Sequence, residues 1–512
     1  MPTPHDRVLR GVTLLLLAAL TLWLAVYVLL SLRWRMTHDT PLLFYIAFLM
    51  DRFGAVPYVD IFTNQSPGAL AFHALIYALF GAGDRAFRLL DLTWLGLISL
   101  TTLLLLRPLG RVAAWAGCVL FALSYLRLEQ EVSFQRDFIG ILPIALAAAL
   151  ITDGRPTAGR RLLAGLCVGL AVTLKPHLGL GLPVLMLYDL LTAGETGGWP
   201  RRALITAWPY ALGLAAPVAM MLAWLWRLDA WQAYRQFSIE GLPIYLRMNG
   251  EHQTIFGVNR LLYLLQGYAG VGGMGAWLAP AALSLYLAVG LPPAQARIRR
   301  RILLLAALAL TYSLYALLGG KFWAYHWLPF QYFLILTAAA GLAGLRLARP
   351  AATRATILAT LTLVILLNAA PSHAFYGQLW GQSPRPPKEG RVDAIAAFLQ
   401  THLQPDDRVQ QLDWTGGATH AMLIAGARMA TPYMEDYIFY DEVEQPYVQA
   451  QRRRFMEMLT QTRPHFIIEV SATPRPSGPG SSTAFPELRA FLAAHYTPTT
   501  AGDGYIIYEF NN

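Results

Sequence analysis

In a chain of 512 residues, hydrophobic types make up 56% and charged types only 14%, with a mean hydropathy of +0.43; a soluble domain carries about 25% charge. The apolar residues fall in runs close to the ~20 that cross a bilayer as a helix, which excludes a soluble enzyme and predicts a polytopic α-helical membrane protein. The net charge of +10 does not imply a nucleic-acid partner, because the basic residues are mostly Arg in short loops between apolar runs, a pattern of membrane orientation.

The first run, about 10–32, follows Arg7 and Arg10 as a signal peptide would. It is too long and lacks a small-residue cleavage site, so a retained first span is expected. Ten further spans are predicted at about 86–107, 111–127, 138–152, 160–175, 178–194, 203–226, 274–292, 302–318, 328–346 and 355–371. Two more apolar stretches, 66–83 and 254–270, are broken by polar residues and Gly, and read as interfacial or re-entrant segments. Cys118 and Cys167 lie inside apolar runs and read as small core residues, not a disulfide framework.

With the N-terminus inside, the inner connections hold Arg107 and Arg111; Arg155, Arg160 and Arg161; Arg201 and Arg202; Arg297, Arg299, Arg300 and Arg301; Arg346, Arg349 and Arg354. Only Asp153 and Glu195 are acidic there. This asymmetry follows the positive-inside rule. It predicts an inner-membrane, multi-pass protein with a cytoplasmic N-terminus and an extracytoplasmic C-terminus. The outer side then collects the 36–88 loop, the 127–137 loop, Lys175-Pro176-His177, the 227–273 segment and the 319–326 turn.

After residue 371 the composition changes. Pro371, Pro384, Pro386 and Pro387 mark a stiff linker over 372–387. From 388 to 512, helices at 392–403, 448–461 and 486–495 alternate with strands at 408–414, 465–470 and 504–510. This predicts a small extracytoplasmic α/β domain behind a transmembrane domain of residues 1–371. There is no GxGxxG fingerprint, P-loop, internal repeat or zinc-like Cys/His spacing.

The residues able to carry chemistry lie in the predicted outer loops. Asp39, in His38-Asp39-Thr40-Pro41, reads either as a general base at the membrane surface or as the N-cap of a helix over 40–52. Asp60, Glu131 and Asp137 are candidates for a second carboxylate, against a turn-forming Asp and a solvated loop face. The chain has only three lysines, Lys175, Lys321 and Lys388, and the first two end spans on the outer side. An ammonium there stabilises a leaving phosphate, or simply snorkels to the interface. Arg85 and Arg88 are further phosphate candidates, with local pairing to Asp84 or Asp91 as the alternative. His38, His177, His326 and Tyr325 are candidate substrate contacts, His also a metal ligand and Tyr325 also an interface aromatic.

The series His38-Asp39-Thr40-Pro41, Gly54-Ala55-Val56-Pro57-Tyr58-Val59-Asp60, Ser66-Pro67-Gly68 and Phe80-Gly81 with Arg85 and Arg88 resembles the integral-membrane glycosyltransferases of the GT-C fold. The branch it resembles holds protein O-mannosyltransferases, the lipid A aminoarabinose transferase and bacterial relatives. The resemblance implies a GT-C-like transmembrane domain and inverting transfer on the extracytoplasmic side. It implies a polyprenyl-phosphate sugar donor and a glycan, lipid or protein acceptor. It assigns the catalytic carboxylate to Asp39, and loosely a second one to Glu131 or Asp137. Protein O-mannosyltransferases have an Asp-Glu pair where this chain has Asp39-Thr40, a departure that bears on a protein acceptor. A divalent metal is used by some members, and nothing in this sequence has the spacing to decide it.

Three other classes compete. A lipid-linked sugar transporter or flippase places charges at the bilayer midplane and often shows internal repeats; here the charges lie in outer loops. An O-antigen ligase or polymerase shares the substrates but relies on a late outer loop. A membrane-anchored binding protein leaves the charged first loop unexplained.

Overall fold

The computed structural model describes residues 4–154, 156–192, 198–344, 362–363, 365–366, 368–471, 482 and 484–511. The expected span at 355–371 lies mostly outside these residues, as do Arg155, Glu195, Arg346, Arg349 and Arg354. By length and composition, four described helices can cross a membrane: Gly11–Ser31, Asp84–Leu109, Trp199–Arg227 and Pro293–Gly319. A fifth candidate is the pair Gly257–Gly273 and Gly275–Val289, bent by 75°, which includes one of the two stretches read as interfacial or re-entrant. The other expected spans between residues 111 and 344 are shorter helices: Arg111–Arg127, Arg136–Thr152, Ala158–Leu174, Leu182–Thr192 and Leu328–Gly344.

The chain forms two compact units. The first comprises Met1–Trp34, Arg88–Met220 and Leu264–Pro384, the apolar helices. Within it, helices approach closely where side chains are small. A Cβ on Gly165 would lie 2.3 Å from the Tyr210 carbonyl oxygen, and one on Gly213 would lie 2.1 Å from that of Leu162. Helix ends are closed by arginine: Arg301, counted above as an orienting charge, is buried and donates to the carbonyls of Leu105 and Thr152. Such cations satisfy the orphan carbonyls of helix C-termini. Arg161, also counted as a loop charge, is buried against Asp189, with Nε 2.8 Å from Oδ2. The Pro-rich stretch after 371 is in part the helix His373–Leu379; its Gln378 accepts a hydrogen bond from Trp34 Nε1 at 3.3 Å.

The second unit comprises Arg35–Phe87, Met221–Tyr263 and Arg385–Asn512. Its sheet holds β1 (Arg408–Leu412), β2 (Arg428–Met429), β3 (Phe466–Val470), β4 (Tyr496–Gly502) and β5 (Tyr505–Phe510), in the order β2-β1-β3-β5-β4. β1 runs parallel to β2 and β3, while β5 is antiparallel to β3 and β4. The helices Arg391–His402, Pro446–Thr462 and Pro486–His495 fall within two residues of their expected bounds. The helix Ala418–Ala425 and the strands β2 and β4 had no clear signal, being short or polar. The 36–88 loop folds into this unit. Its helices are Thr40–Phe53 and Pro67–Phe80. Phe62 N donates to Pro432 O at 2.7 Å, Tyr45 Oη donates to Ala427 O at 2.9 Å, and Phe62 joins a core with Tyr433, Tyr437 and Phe237. The compact units therefore do not follow the composition boundary at residue 371.

Candidate active site

Each unit holds one concentration of the expected residues. In the second unit, Asp39 sits at the N-cap of Thr40–Phe53, with Pro41 in its first turn. Its carbonyl accepts the first helical bond, from Leu43 N at 3.1 Å. Its side chain makes no capping hydrogen bond. The carboxylate instead meets the neighbouring imidazole: Oδ1 lies 3.0 Å from His38 Nδ1, with 12% of the Asp39 side chain exposed. His38 has a left-handed backbone, φ +59°, which costs a non-glycine residue about 1–3 kcal/mol. The geometry thus holds a carboxylate at the start of a buried helix and orients it by an imidazole instead of spending it on the helix end.

The other acids and cations of this loop divide by partner. Asp60 is exposed and its Oδ2 accepts from Val56 N at 2.8 Å, the turn-forming alternative. Asp84 accepts from Arg35 Nε at 2.8 Å and from Met36 N at 3.0 Å, so Arg35, not Arg85, is its ion-pair partner. Arg85 is exposed.

In the first unit, Asp137 opens the helix Arg136–Thr152 and is fully buried. Both its oxygens lie 3.2 Å from Lys175 Nζ, and Tyr315 Oη donates to Oδ1. The ammonium also lies over two rings, 5.2 Å from the Tyr315 centroid and 5.6 Å from that of Tyr325. His177 packs edge-on against Tyr315 at 5.3 Å, and His326 lies 5.8 Å from the same ring. Backbone Lys321 O accepts from His326 Nδ1 at 2.8 Å, which leaves Nε2 as the unprotonated nitrogen. Burial, then the Lys175 charge, pushes the His326 imidazole down to about 3, and the same two causes lower His177. Both rings are neutral at pH 7. Lys321 is buried.

Asp137, Lys175, His177, Tyr325 and His326, far apart in sequence, are thus brought together around Tyr315. A tyrosine inside an apolar run reads as core, so the sequence does not single out Tyr315; Asp189 lies inside an apolar run in the same way. Glu131 is exposed in the turn Gln130–Val132. Arg88 lies elsewhere: it is fully buried, ion-paired to Asp91, donates to Ser31 Oγ at 2.6 Å and stacks 4.5 Å from the Trp34 ring centroid. Asp91 also accepts from Tyr125 Oη and Phe134 N. Arg88, expected as a phosphate contact, thus meets the local partner Asp91 inside the helix bundle. Among the described residues, no group of three or more His, Cys, Asp or Glu side chains is clustered as a metal site would need.

No protein-family model matches the chain. No curated protein matches it either. Solved structures do. ArnT from Cupriavidus metallidurans, crystallised with undecaprenyl phosphate, matches at TM-score 0.58 and 15% identity, over 97% of this chain and 98% of that one. An arabinofuranosyltransferase, AftD, from Mycobacteria matches at TM-score 0.53 and 15% identity, over 97% of this chain but 40% of that one. The oligosaccharyltransferase AglB from Archaeoglobus fulgidus, solved with an inhibitory peptide and a dolichol-phosphate, matches at TM-score 0.51 and 11% identity, over 89% of this chain and 69% of that one. These are GT-C glycosyltransferases, and the chain has their fold. It is a multi-pass membrane protein.

Proposed function

We propose that this protein is an inverting glycosyltransferase, moving a sugar from a polyprenyl-phosphate donor to a hydroxyl of a glycan, lipid or protein acceptor on the extracytoplasmic side of the inner membrane. The observation that carries the reading is the Asp39 carboxylate, held by His38 and not spent on capping its helix. A fold shared with proteins solved with undecaprenyl phosphate and dolichol-phosphate supports the donor class.

In this scheme the acceptor hydroxyl attacks the anomeric carbon from the face opposite the phosphate. Its proton passes to Asp39 as the new glycosidic bond forms. The bond from the anomeric carbon to the phosphate oxygen breaks, and polyprenyl phosphate leaves with both electrons. The leaving oxyanion needs a cation. Lys175, paired with Asp137, is one candidate; Lys321, Arg85 and Arg88 are the others. His38 orients the base, and His177, Tyr325 and His326 are candidate donor contacts. Asp60, Glu131 and Asp137 were the candidates for a second carboxylate. Of these, Asp137 serves here as the partner of Lys175.

The test uses the full chain in nanodiscs with a panel of polyprenyl-phosphate hexoses and pentoses and lipid or glycan acceptors. Wild type is expected to transfer sugar, and Asp39→Asn to lose about 10²–10⁴-fold in rate, the contribution of a positioned general base. Unchanged transfer by Asp39→Asn overturns the assignment of the base. Donor flux across liposomes without donor consumption overturns the enzyme reading in favour of transport.

A further inference from the structure

The second unit contains a small open recess lined by Thr37, His38, Lys388, Thr415, Thr419 and His420, together with apolar residues. The recess lies at the carboxyl end of β1. The chain leaves β1 through Ala418–Ala425 to β2 on one side, and returns through Pro446–Thr462 to β3 on the other. Open sheets with parallel strands bind ligands where the strand order reverses in this way.

Three independent features converge there. First, His420 is 3% exposed, its Nε2 has no hydrogen-bond partner among the described residues, and burial holds the imidazole down, to about 4. A buried polar group left unpartnered is rare in folded proteins and marks a place for a ligand or water. Second, the nearby acids are engaged. Asp84 and Asp393 each lie 2.8 Å from Arg35, Asp413 accepts from the amides of Gly416 and Ala418, and Asp39 meets His38. Lys388 makes no ion pair among the described residues, so the recess has a cation and no free carboxylate. Third, three of its lining residues, from three separate segments, are non-glycine residues with left-handed backbones: His38 at φ +59°, Lys388 at +48° and Thr415 at +64°. Strain of this kind collects at ligand clamps.

We propose that this recess is an oxyanion subsite for the acceptor, in which Lys388, the His420 imidazole and the threonine hydroxyls hold a phosphate or carboxylate group of the molecule whose hydroxyl is glycosylated. The assignment rests on the transferase reading for the word acceptor, and on the recess itself for the oxyanion. Because His38 lines the recess and also touches Asp39, an anion bound there brings the rest of its molecule to the base.

Lys388 provides the readout. The chain has two other lysines, and both are protected: Lys321 is 2% exposed and Lys175 is paired with Asp137. The full chain in phosphatidylcholine nanodiscs is acetylated with an amine-reactive reagent, and Lys388 modification is followed by mass spectrometry. Inorganic phosphate, or phosphatidic acid added to the disc, is expected to slow that modification severalfold relative to chloride at equal ionic strength. Protection by phosphate assigns a soluble oxyanion; protection by phosphatidic acid alone assigns a lipid headgroup. Equal rates in every arm overturn the proposal. His420→Leu should lose the protection while its unprotected rate stays at the wild-type value. Thr415→Gly, which removes a hydroxyl and relieves backbone strain, should weaken protection even if His420→Leu does not fold; protection retained in both overturns the assignment of these groups. Donor transfer by wild type, measured in parallel, separates the two readings. Protection with no donor transfer by wild type leaves the subsite standing and removes the acceptor role, whereas transfer without protection does the reverse.

Discussion

Asp137 and Lys175 show how a charge is kept inside an apolar bundle. The carboxylate is buried, its two oxygens are shared by one ammonium, and Tyr315 donates to it. Removing one partner of such a pair strands the other, at about 3–5 kcal/mol, while replacing both by apolar groups costs far less. Asp137→Leu is therefore expected to lower the thermal midpoint in detergent steeply, and Asp137→Leu with Lys175→Met to recover most of the loss. A double mutant no better than the single would contradict the pairing. The neighbouring His326 predicts a pH dependence. Its folded value, about 3, lies below the ~6.5 of an unfolded histidine, so the unfolded chain binds the extra proton. Stability from this group is complete above pH ~6.5 and falls as pH drops from there toward 3. The midpoint should fall between pH 6.5 and 4.5, and His326→Asn, which keeps a donor for Lys321 O, should flatten that slope.

Helix positions were readable from apolar runs, because a run of that length has few other ways to satisfy its backbone in lipid. Helix crossings were not. Ala158–Leu174 and Trp199–Arg227 meet backbone to backbone at Gly165, Gly169 and Gly213, none of which stands out among the 42 glycines of the chain. Gly165→Val is expected to lower the thermal midpoint, since overpacking costs about 1–3 kcal/mol and the obstacle here is carbonyl backbone, not a flexible side chain. Gly96→Ala serves as the control: a Cβ there meets nothing within 4 Å, and the midpoint should hold or rise. In the tail, the strand at 466–470 is apolar and buried, and its neighbour at 408–412 is buried from Val409 to Leu412 despite Gln410 and Gln411. The polar edge strand β4 carried no clear signal, and its pairing with β5 exists only through the sheet.

Across the molecule, the loop after the first span and the α/β tail are parts of one compact unit. Phe62 and Tyr45 give their backbone and hydroxyl donors to residues near 430. Truncation after residue 384 should therefore not leave an intact Asp39 loop. Size-exclusion profiles of the truncated chain are expected to show aggregation, and a monodisperse peak with normal donor binding would refute this. Membrane class, the helix runs and the main tail elements were legible in residue order because hydrophobic length and periodicity are local properties. The place of Asp39 directly after the first run is likewise a local feature, and its catalytic role rests on the proposal above. The ion pairs of Arg88, Arg161 and Lys175, the strand order, the unpartnered His420 and the membership of the two units were decided only by tertiary structure. Each depends on groups brought together across tens to hundreds of residues, and no local pattern in the chain encodes which buried charge will find which partner.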